Sequence, residues 1–300
     1  KVSIGLVVYN GEPFTRKKID SLLSQTFSDF ELIISDNAST DGTSDICKEY
    51  LKKDKRIRYF RQKENMGASW NYIFVLDQAR GEYFTWAAVD DIMLPDFLKN
   101  NVAILESDKN IVGSTGKVER YTLVEGDSEK NSIDIKFRNF KSKLISSFRP
   151  SSIVSISGSY NQKVRILLKK SAYTTLYCVF RTNELKKSIV RESFVANDAA
   201  RILSVLKYGD IHVTDEVLML RYDQGMSTRG SIDISRNYNT TQGVLGIIFP
   251  HYPLTIWCIK NLGLKNFIKN IDHFIKLNLA SEFLFGLDLM RLLTHKVSRK

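Results

Sequence analysis

The sequence predicts an α/β fold in which a mostly parallel sheet is flanked by helices, with a helical appendage at the C-terminal end. Three observations carry that expectation. Runs of strand length, rich in β-branched and aromatic residues, alternate with stretches of helical spacing over the first hundred residues, the pattern of strands joined by crossover helices. Each run is followed by a polar loop with turn chemistry. Residues 236–300 then carry repeated helical spacing with few strand signals.

Val2 to Val8 is a compact β-branched run, and Tyr9-Asn10-Gly11-Glu12-Pro13 is a turn leading to an amphipathic stretch with Ile19, Leu22 and Leu23. Phe30 to Ser35, the turn from Asp36 to Gly42, and helical spacing over Thr43 to Lys53 repeat the unit. A third copy comprises Ile57 to Arg61, the loop Gln62 to Met66 and a helix over Gly67 to Ala79, and Tyr83 to Val89 is the fourth strand. Ligands of such sheets sit at the carboxyl ends of the strands. The loops at Tyr9, Asp36, Asn65 and Asp90 are therefore expected to share one crevice. Past Ile111 the pattern breaks into short pieces, Ile111 to Thr115, Lys117 to Leu123, Ile211 to Val213 and Val217 to Leu220. Between them, Lys136 to Lys170 holds many Lys and Arg and no Asp or Glu. It reads as a solvated face, with a loop over the site holding an anionic acceptor as the alternative.

A 300-residue chain that is 43% hydrophobic can bury a full core. Its formal charge of +11 implies an acidic partner, and the absence of a nucleic-acid motif argues against a nucleic acid as that partner. Cys47, Cys178 and Cys258 are odd in number and far apart, which speaks against a disulfide framework or zinc site and for a reducing compartment. The longest apolar stretch, Gly243 to Ile259, is interrupted by Pro250, His251 and Pro253 and is too short to span a bilayer. Membrane contact would be peripheral. The expected location is the cytoplasm, with the inner face of the plasma membrane as the place of any such contact.

The fourth strand ends in two adjacent carboxylates, Asp90 and Asp91. Side by side they repel, and a hard cation such as Mg2+ or Mn2+ would settle them while bridging to a substrate phosphate. The alternative is an exposed acidic turn with Asp91 near the start of the next helix, favoured by its dipole. No glycine fingerprint follows the first strand, where Gly11 stands alone, and no phosphate-cradling loop is present. A bound pyrophosphate would then be neutralised by the metal. Further on, Asp198 falls in the first turn of a helix with Ile202, Leu203, Val205 and Leu206 facing inward. The helix dipole would hold it ionised, as suits a base.

Several motifs together resemble the family 2 glycosyltransferases of the GT-A fold. They are Val7-Val8-Tyr9-Asn10, Ser24-Gln25-Thr26-Phe27, the run from Phe30 to Thr43, Asn65-Met66-Gly67 and Val89-Asp90-Asp91. The resemblance implies a domain over residues 1–235, divided into a nucleotide-sugar-binding half (1–118) and an acceptor-binding half (119–235), followed by the helical region 236–300. It implies that Asp36 touches the nucleobase, that Val8, Tyr9 and Asn10 line the same pocket with Asn65, that Asp90 meets the ribose, and that Asp91, with Asp90, holds Mn2+ or Mg2+. Many family members carry another acid two positions before the pair, where this chain has Ala88. Asp198 falls where members keep their general base, often as Glu-Asp; here Asn197 replaces the Glu. The run Tyr177 to Leu185 resembles the acceptor-side strand. Arg221 to Arg229 resembles the segment in which a histidine completes the metal shell; no histidine is present there, and Asp223 or Gln224 is the substitute, with water as the alternative ligand.

The activity implied is that of an inverting hexosyltransferase moving sugar from a nucleotide-diphosphate donor, a UDP-sugar by the family's habit, to a hydroxyl of a glycan or lipid-linked oligosaccharide in bacterial surface polysaccharide synthesis. Two other classes compete. A sugar-nucleotide nucleotidyltransferase would need a glycine-rich, arginine-containing loop where Gly11-Glu12-Pro13-Phe14 stands, and a non-catalytic nucleotide- or glycan-binding module would not need the four aspartates. The C-terminal helices mix aromatic and basic residues, including Trp257, Lys260, Lys265 and Lys269. Packing on the main domain or against a second copy is the first expectation for them, and interfacial membrane contact the second.

Overall fold

The structure, a computed structural model, describes residues 1–121, 153–170, 173–222 and 249–279. In chain order its elements are β1 (Val2–Val8), α1 (Glu12–Leu23), β2 (Phe30–Asp36), α2 (Thr43–Lys53), β3 (Ile57–Arg61), α3 (Ala68–Asp77), β4 (Tyr83–Ala88), β5 (Ile92–Met93), α4 (Phe97–Ser107), β6 (Ile111–Tyr121), α5 (Tyr160–Lys170), a 3-10 turn (Tyr173–Tyr177), β7 (Val179–Arg181), α6 (Thr182–Ser188), α7 (Asn197–Val205), β8 (Asp210–Tyr222), α8 (Tyr252–Asn261) and α9 (Leu264–Lys269). A further helix occupies residues 271–279. Among the described residues no helix is long and apolar enough to cross a membrane.

One eight-stranded sheet runs in the order β3-β2-β1-β4-β7-β6-β8-β5. The first four strands are parallel and β6 runs parallel to β8, whereas β7 is antiparallel to both its neighbours and β5 is antiparallel to β8. The sheet is mixed where a wholly parallel one would follow from strand–helix alternation alone. β7 is only three residues long and follows a 3-10 turn.

Helices cover both faces, and period-two alternation divides the strand side chains between them. Val2, Ile4, Leu6 and Val8 of β1 pack on one face with Ile19, Leu22, Ile46 and Phe97 from α1, α2 and α4. Phe84 and Trp86 point to the other, against Val75 of α3, Val164 of α5, Leu203 of α7 and Leu254 of α8. There Trp86 meets Phe84 edge-on at 5.1 Å and Phe180 at 6.2 Å. Gly5 is required in the middle of β1, because a Cβ there would stand 2.6 Å from Cγ2 of Val75. Helix α3 thus lies directly on the strand that begins the site.

Three expectations change. The pieces at Ile111 and Lys117 are one strand, β6, with register shifts on either side of Lys117, and those at Ile211 and Val217 are likewise continuous as β8. Gly116 permits this, since a Cβ there would stand 2.7 Å from the carbonyl oxygen of Glu216. The basic run ends in α5, which keeps Arg165 and Lys169 exposed as a solvated face would but buries Lys163. Val164 and Leu167 are buried, and buried Lys163 donates to the carbonyls of Leu206 (3.2 Å) and Gly209 (2.7 Å) and pairs with Asp210 at 2.6 Å. The earlier part of that run lies outside the described residues, as do residues 280–300.

Candidate active site

Strand register gathers the site. Val8 pairs with Asp36, Asp36 with Arg61, and Val7 with Ala88, so β1 to β4 end along one edge and their loops meet beyond it. Those loops are tied to one another by hydrogen bonds. Asn10, at a φ of 48° that asparagine tolerates, accepts from the Thr40 N–H at 2.8 Å, and its own N–H donates to Ser39 at 2.9 Å. Asp41 accepts from the N–H groups of Thr43 and Glu12, both at 3.1 Å, the structural use its turn position suggests.

Asp36 is fully buried. One carboxylate oxygen accepts from the Ser39 N–H and the other from the Tyr59 hydroxyl, each at 2.8 Å, with Arg61 Nε 3.8 Å away. Asn37, which sequence reasoning passed over, joins the second loop to the third. Its N–H donates to the Val8 carbonyl (2.9 Å), its amide group donates to Asn65 Oδ1 (2.7 Å), and its amide oxygen accepts from the Met66 N–H (3.0 Å). Asn65 itself is exposed and also accepts from the Gly67 N–H. Val8 directs its side chain into the core, leaving its carbonyl to the loops, while Tyr9 is 48% exposed at the mouth. Tyr9 is not a core residue.

The acidic pair is not an exposed turn. Asp91 is 5% exposed, and α4 begins only at Phe97, with Asp96 at its N-cap position and β5 in between. Pairing of β5 with β8 (Ile92 with Leu220) folds the end of β8 over the pair. The Tyr222 N–H donates to Asp91 Oδ1 at 3.1 Å, and the Tyr121 hydroxyl donates to the Asp90 carbonyl at 2.6 Å. Burial, then the neighbouring Asp90 charge, push the Asp91 carboxyl up to about 6, against the pull of Arg221 and Lys18. Lys18 is the second residue missed. It is 1% exposed on the inner face of α1, donates to the Asp91 carbonyl at 2.8 Å, and burial lowers its ammonium to about 8 although Asp91 and Asp90 favour its charge. Its spacing with Ile19 and Leu22 is the signal that was available: a lysine on the apolar stripe of a helix needs a buried partner.

Asp198 stands at the start of α7, after Ala196 in the left-handed conformation with φ 66°. Sequence reasoning expected the helix dipole to keep it ionised. Burial works against the dipole: it raises the carboxyl above its ordinary range and outweighs the Ala199 N–H, Arg201 and Arg221, which lower it. Arg221 thus acts on both Asp91 and Asp198, which brings the pair and the distant helix into one electrostatic site. Tyr72 and Tyr177 line it as well, their hydroxyls 3.3 Å apart and both raised by burial. Beneath Asp198, Asn197 Nδ2 and Arg201 Nη2 both donate to Ser69 Oγ, each at 2.8 Å. Arg181, which ends the aromatic run, donates to the Ile111 carbonyl at 3.0 Å and to that of Leu105 and is structural.

A buried carboxylate raised by a second one beside it is a hard-oxygen pair short of positive charge, and that donor set suits Mg2+ or Mn2+. Among the described residues no three His, Cys, Asp or Glu are grouped to hold a metal. Substrate phosphates and water commonly complete the shell around such a pair. Asp223 and Gln224 lie outside the described residues.

Comparisons with known proteins agree with this architecture. Glycosyltransferase GlyA of Streptococcus pneumoniae is 35% identical over 99 residues, 33% of this chain and 14% of that protein. Putative glycosyltransferase EpsE of Bacillus subtilis is 38% identical over 119 residues, 38% of this chain and 42% of that protein. The chain thus spans less than half the length of either relative. Among solved structures, S. aureus TarS 1-349 superposes with a TM-score of 0.55 at 18% identity, covering 93% of this chain and 81% of that one. The mannosyltransferase PcManGT from Pyrobaculum calidifontis, in complex with GDP-Man and Mn2+, gives 0.50 at 15% identity, covering 94% and 69%. Both likenesses speak to the fold, which is the GT-A glycosyltransferase architecture. The pattern of Glycosyl transferase family 2 matches residues 3–164, more than half of the chain, and the chain belongs to that family.

Proposed function

We propose that this protein is an inverting glycosyltransferase that moves a hexosyl group from a nucleoside-diphosphate sugar, with UDP-sugars first in order, to a hydroxyl of a glycan or lipid-linked oligosaccharide. The observation that carries the reading is the burial of Asp91 beside Asp90 at the end of β4, held by the Tyr222 N–H and Lys18, with the Arg221 charge reaching the carboxyls of both Asp91 and Asp198. Exposed Tyr9, beside the Asp36 loop, offers a ring face for a nucleobase, and Asp90 is the half-buried carboxylate for the ribose. Asp91 with Asp90 would hold Mn2+ or Mg2+, which when bound offsets the growing charge of a departing diphosphate. TarS has been solved with UDP and with UDP-GlcNAc, which is why uridine nucleotides come first.

In the reaction the acceptor oxygen bonds to the anomeric carbon as the bond from that carbon to the diphosphate oxygen breaks. Asp198 takes the acceptor proton. A carboxyl raised above its ordinary range is the better base for this, provided it is still ionised at working pH. The Arg221 charge lowers the carboxyls of both Asp198 and Asp91, against the burial that raises them. Asn197 and Arg201 position the base by fixing α7 to α3. A single displacement needs no nucleophilic side chain. The reading supports a role in bacterial surface polysaccharide assembly, where lipid-linked and polymeric glycans are the acceptors.

Calorimetric titration with uridine diphosphate, with and without Mn2+, on wild type and Asp91→Ala tests it. Mn2+-dependent binding that Asp91→Ala abolishes is expected. Binding that ignores metal and substitution would overturn the assignment of the pair. Absence of nucleotide binding would overturn the donor reading as a whole.

A further inference from the structure

The C-terminal helices carry an apolar face that the core does not use. Residues 249–279 hold eight of the twelve exposed large apolar side chains among the described residues. Five of them, Leu264, Ile268, Ile271, Ile275 and Leu279, are 46% to 67% exposed. Leu264 and Ile268 stand four apart on α9, and Ile271, Ile275 and Leu279 four apart on the helix at 271–279, so each helix carries its own exposed apolar stripe on either side of the break at Asn270. The inward face of the same helices is already satisfied: Phe274 is buried and stacks on Phe267 at 4.8 Å, and Leu262 is buried in the main cluster. Beside the stripes runs a basic flank. Lys265, Lys269 and Lys276 each follow a stripe residue directly and all three are exposed. The one acid in that flank, Asp272, is paired with Arg165 at 3.3 Å.

From this pattern we propose that the stripes dock the protein on the surface of an anionic lipid bilayer, with the isoleucines and leucines at the acyl boundary and the lysines among the headgroups. Charge selects this occupant. A second copy meeting the same face across a twofold axis would set lysine against lysine, and residues 280–300 carry four basic residues against two acids (Arg291, Lys296, Arg299 and Lys300 against Glu282 and Asp288) and so do not neutralise the flank. A bilayer with anionic headgroups supplies both the apolar boundary and the counter-charge. The inference does not rest on the donor chemistry, since none of these residues belongs to the carboxylate site.

Co-sedimentation of the full chain with vesicles of equal parts phosphatidylcholine and phosphatidylglycerol tests it, beside vesicles of phosphatidylcholine alone. The triple variants are Ile268→Ser/Ile271→Ser/Ile275→Ser and Lys265→Glu/Lys269→Glu/Lys276→Glu. Wild type is expected to bind the anionic vesicles more tightly than the neutral ones, and the lysine variant to lose affinity by on the order of 100-fold. The serine variant is expected to lose at least as much while keeping its thermal unfolding and uridine diphosphate titration unchanged. No binding of wild type, or undiminished binding of the serine variant, overturns the proposal. So does a serine variant whose solution mass falls, which would mark the face as a contact between copies, or whose melting temperature falls, which would mark it as covered by the chain itself.

Discussion

Replacing Lys18 by methionine keeps the length of the side chain and removes an ammonium that the fold holds almost out of water. Lys18 is 1% exposed, and burial lowers it from 10.5 to about 8 despite the two carboxylates above it. In that window the unfolded chain binds the proton and the folded chain does not, so stability must rise with pH. Each pKa unit corresponds to about 1.4 kcal/mol. Between about pH 7.5 and about pH 10, the part of the interval that urea unfolding reaches easily, wild type should gain about 2 kcal/mol relative to Lys18→Met. The assay is urea unfolding of both proteins at the two pH values, in the presence of a chelator so that bound cations do not mask the lysine. Taking the difference cancels the other groups that titrate in common. Curves that stay parallel would refute the reasoning, because a solvated lysine with an ordinary pKa gives no differential gain.

The Asp91 carboxyl, at about 6, is protonated below that value, and a protonated carboxyl does not ligate a hard cation. Mn2+ affinity measured by calorimetry should therefore fall about tenfold for each pH unit below 6, and a flat profile would remove Asp91 from the shell. Asp198→Asn should lower transfer by about 10²- to 10⁴-fold while leaving uridine diphosphate affinity unchanged, as read by steady-state assay and titration. Asn37→Ala strips the loops of two side-chain bonds, to Asn65 and to the Met66 N–H; it should cost about 1–3 kcal/mol of stability and weaken nucleotide binding, both checked on one preparation.

What could be read in advance follows the range over which each signal acts. Strands β1 and β3 and helix α2 fall where the sequence places them, because β-branched runs and helical spacing are local properties. The carboxyl-edge crevice was legible for the same reason: alternation fixes a parallel sheet, and a parallel sheet fixes where its loops meet. The continuity of β6 through Gly116 was not, since it depends on Glu216 and Leu218 of β8 lying against that glycine. The burial that raises Asp198 was not legible, because a helix dipole is visible in sequence and burial is not. Arg221 lies in the segment that resembles the family's histidine-bearing one, and only the pairing of β5 with β8 brings it beside Asp91. Lys18 was the one long-range partner that left a local mark, as a charge on an apolar stripe.

The hydroxyl of Ser69 accepts from Asn197 and Arg201 across 128 and 132 residues of sequence. It sits in the first turn of the helix that follows the Asn65 loop, so one small side chain serves as a keystone between the half assigned to the donor and the half assigned to the acceptor. This bears on how such enzymes can be recombined. An acceptor half grafted from a relative would bring its own counterparts of Asn197 and Arg201, and unless the serine travelled with them the base would rest on a seat cut for another helix. Exchange of halves in the laboratory is therefore expected to need this serine carried along with the second half.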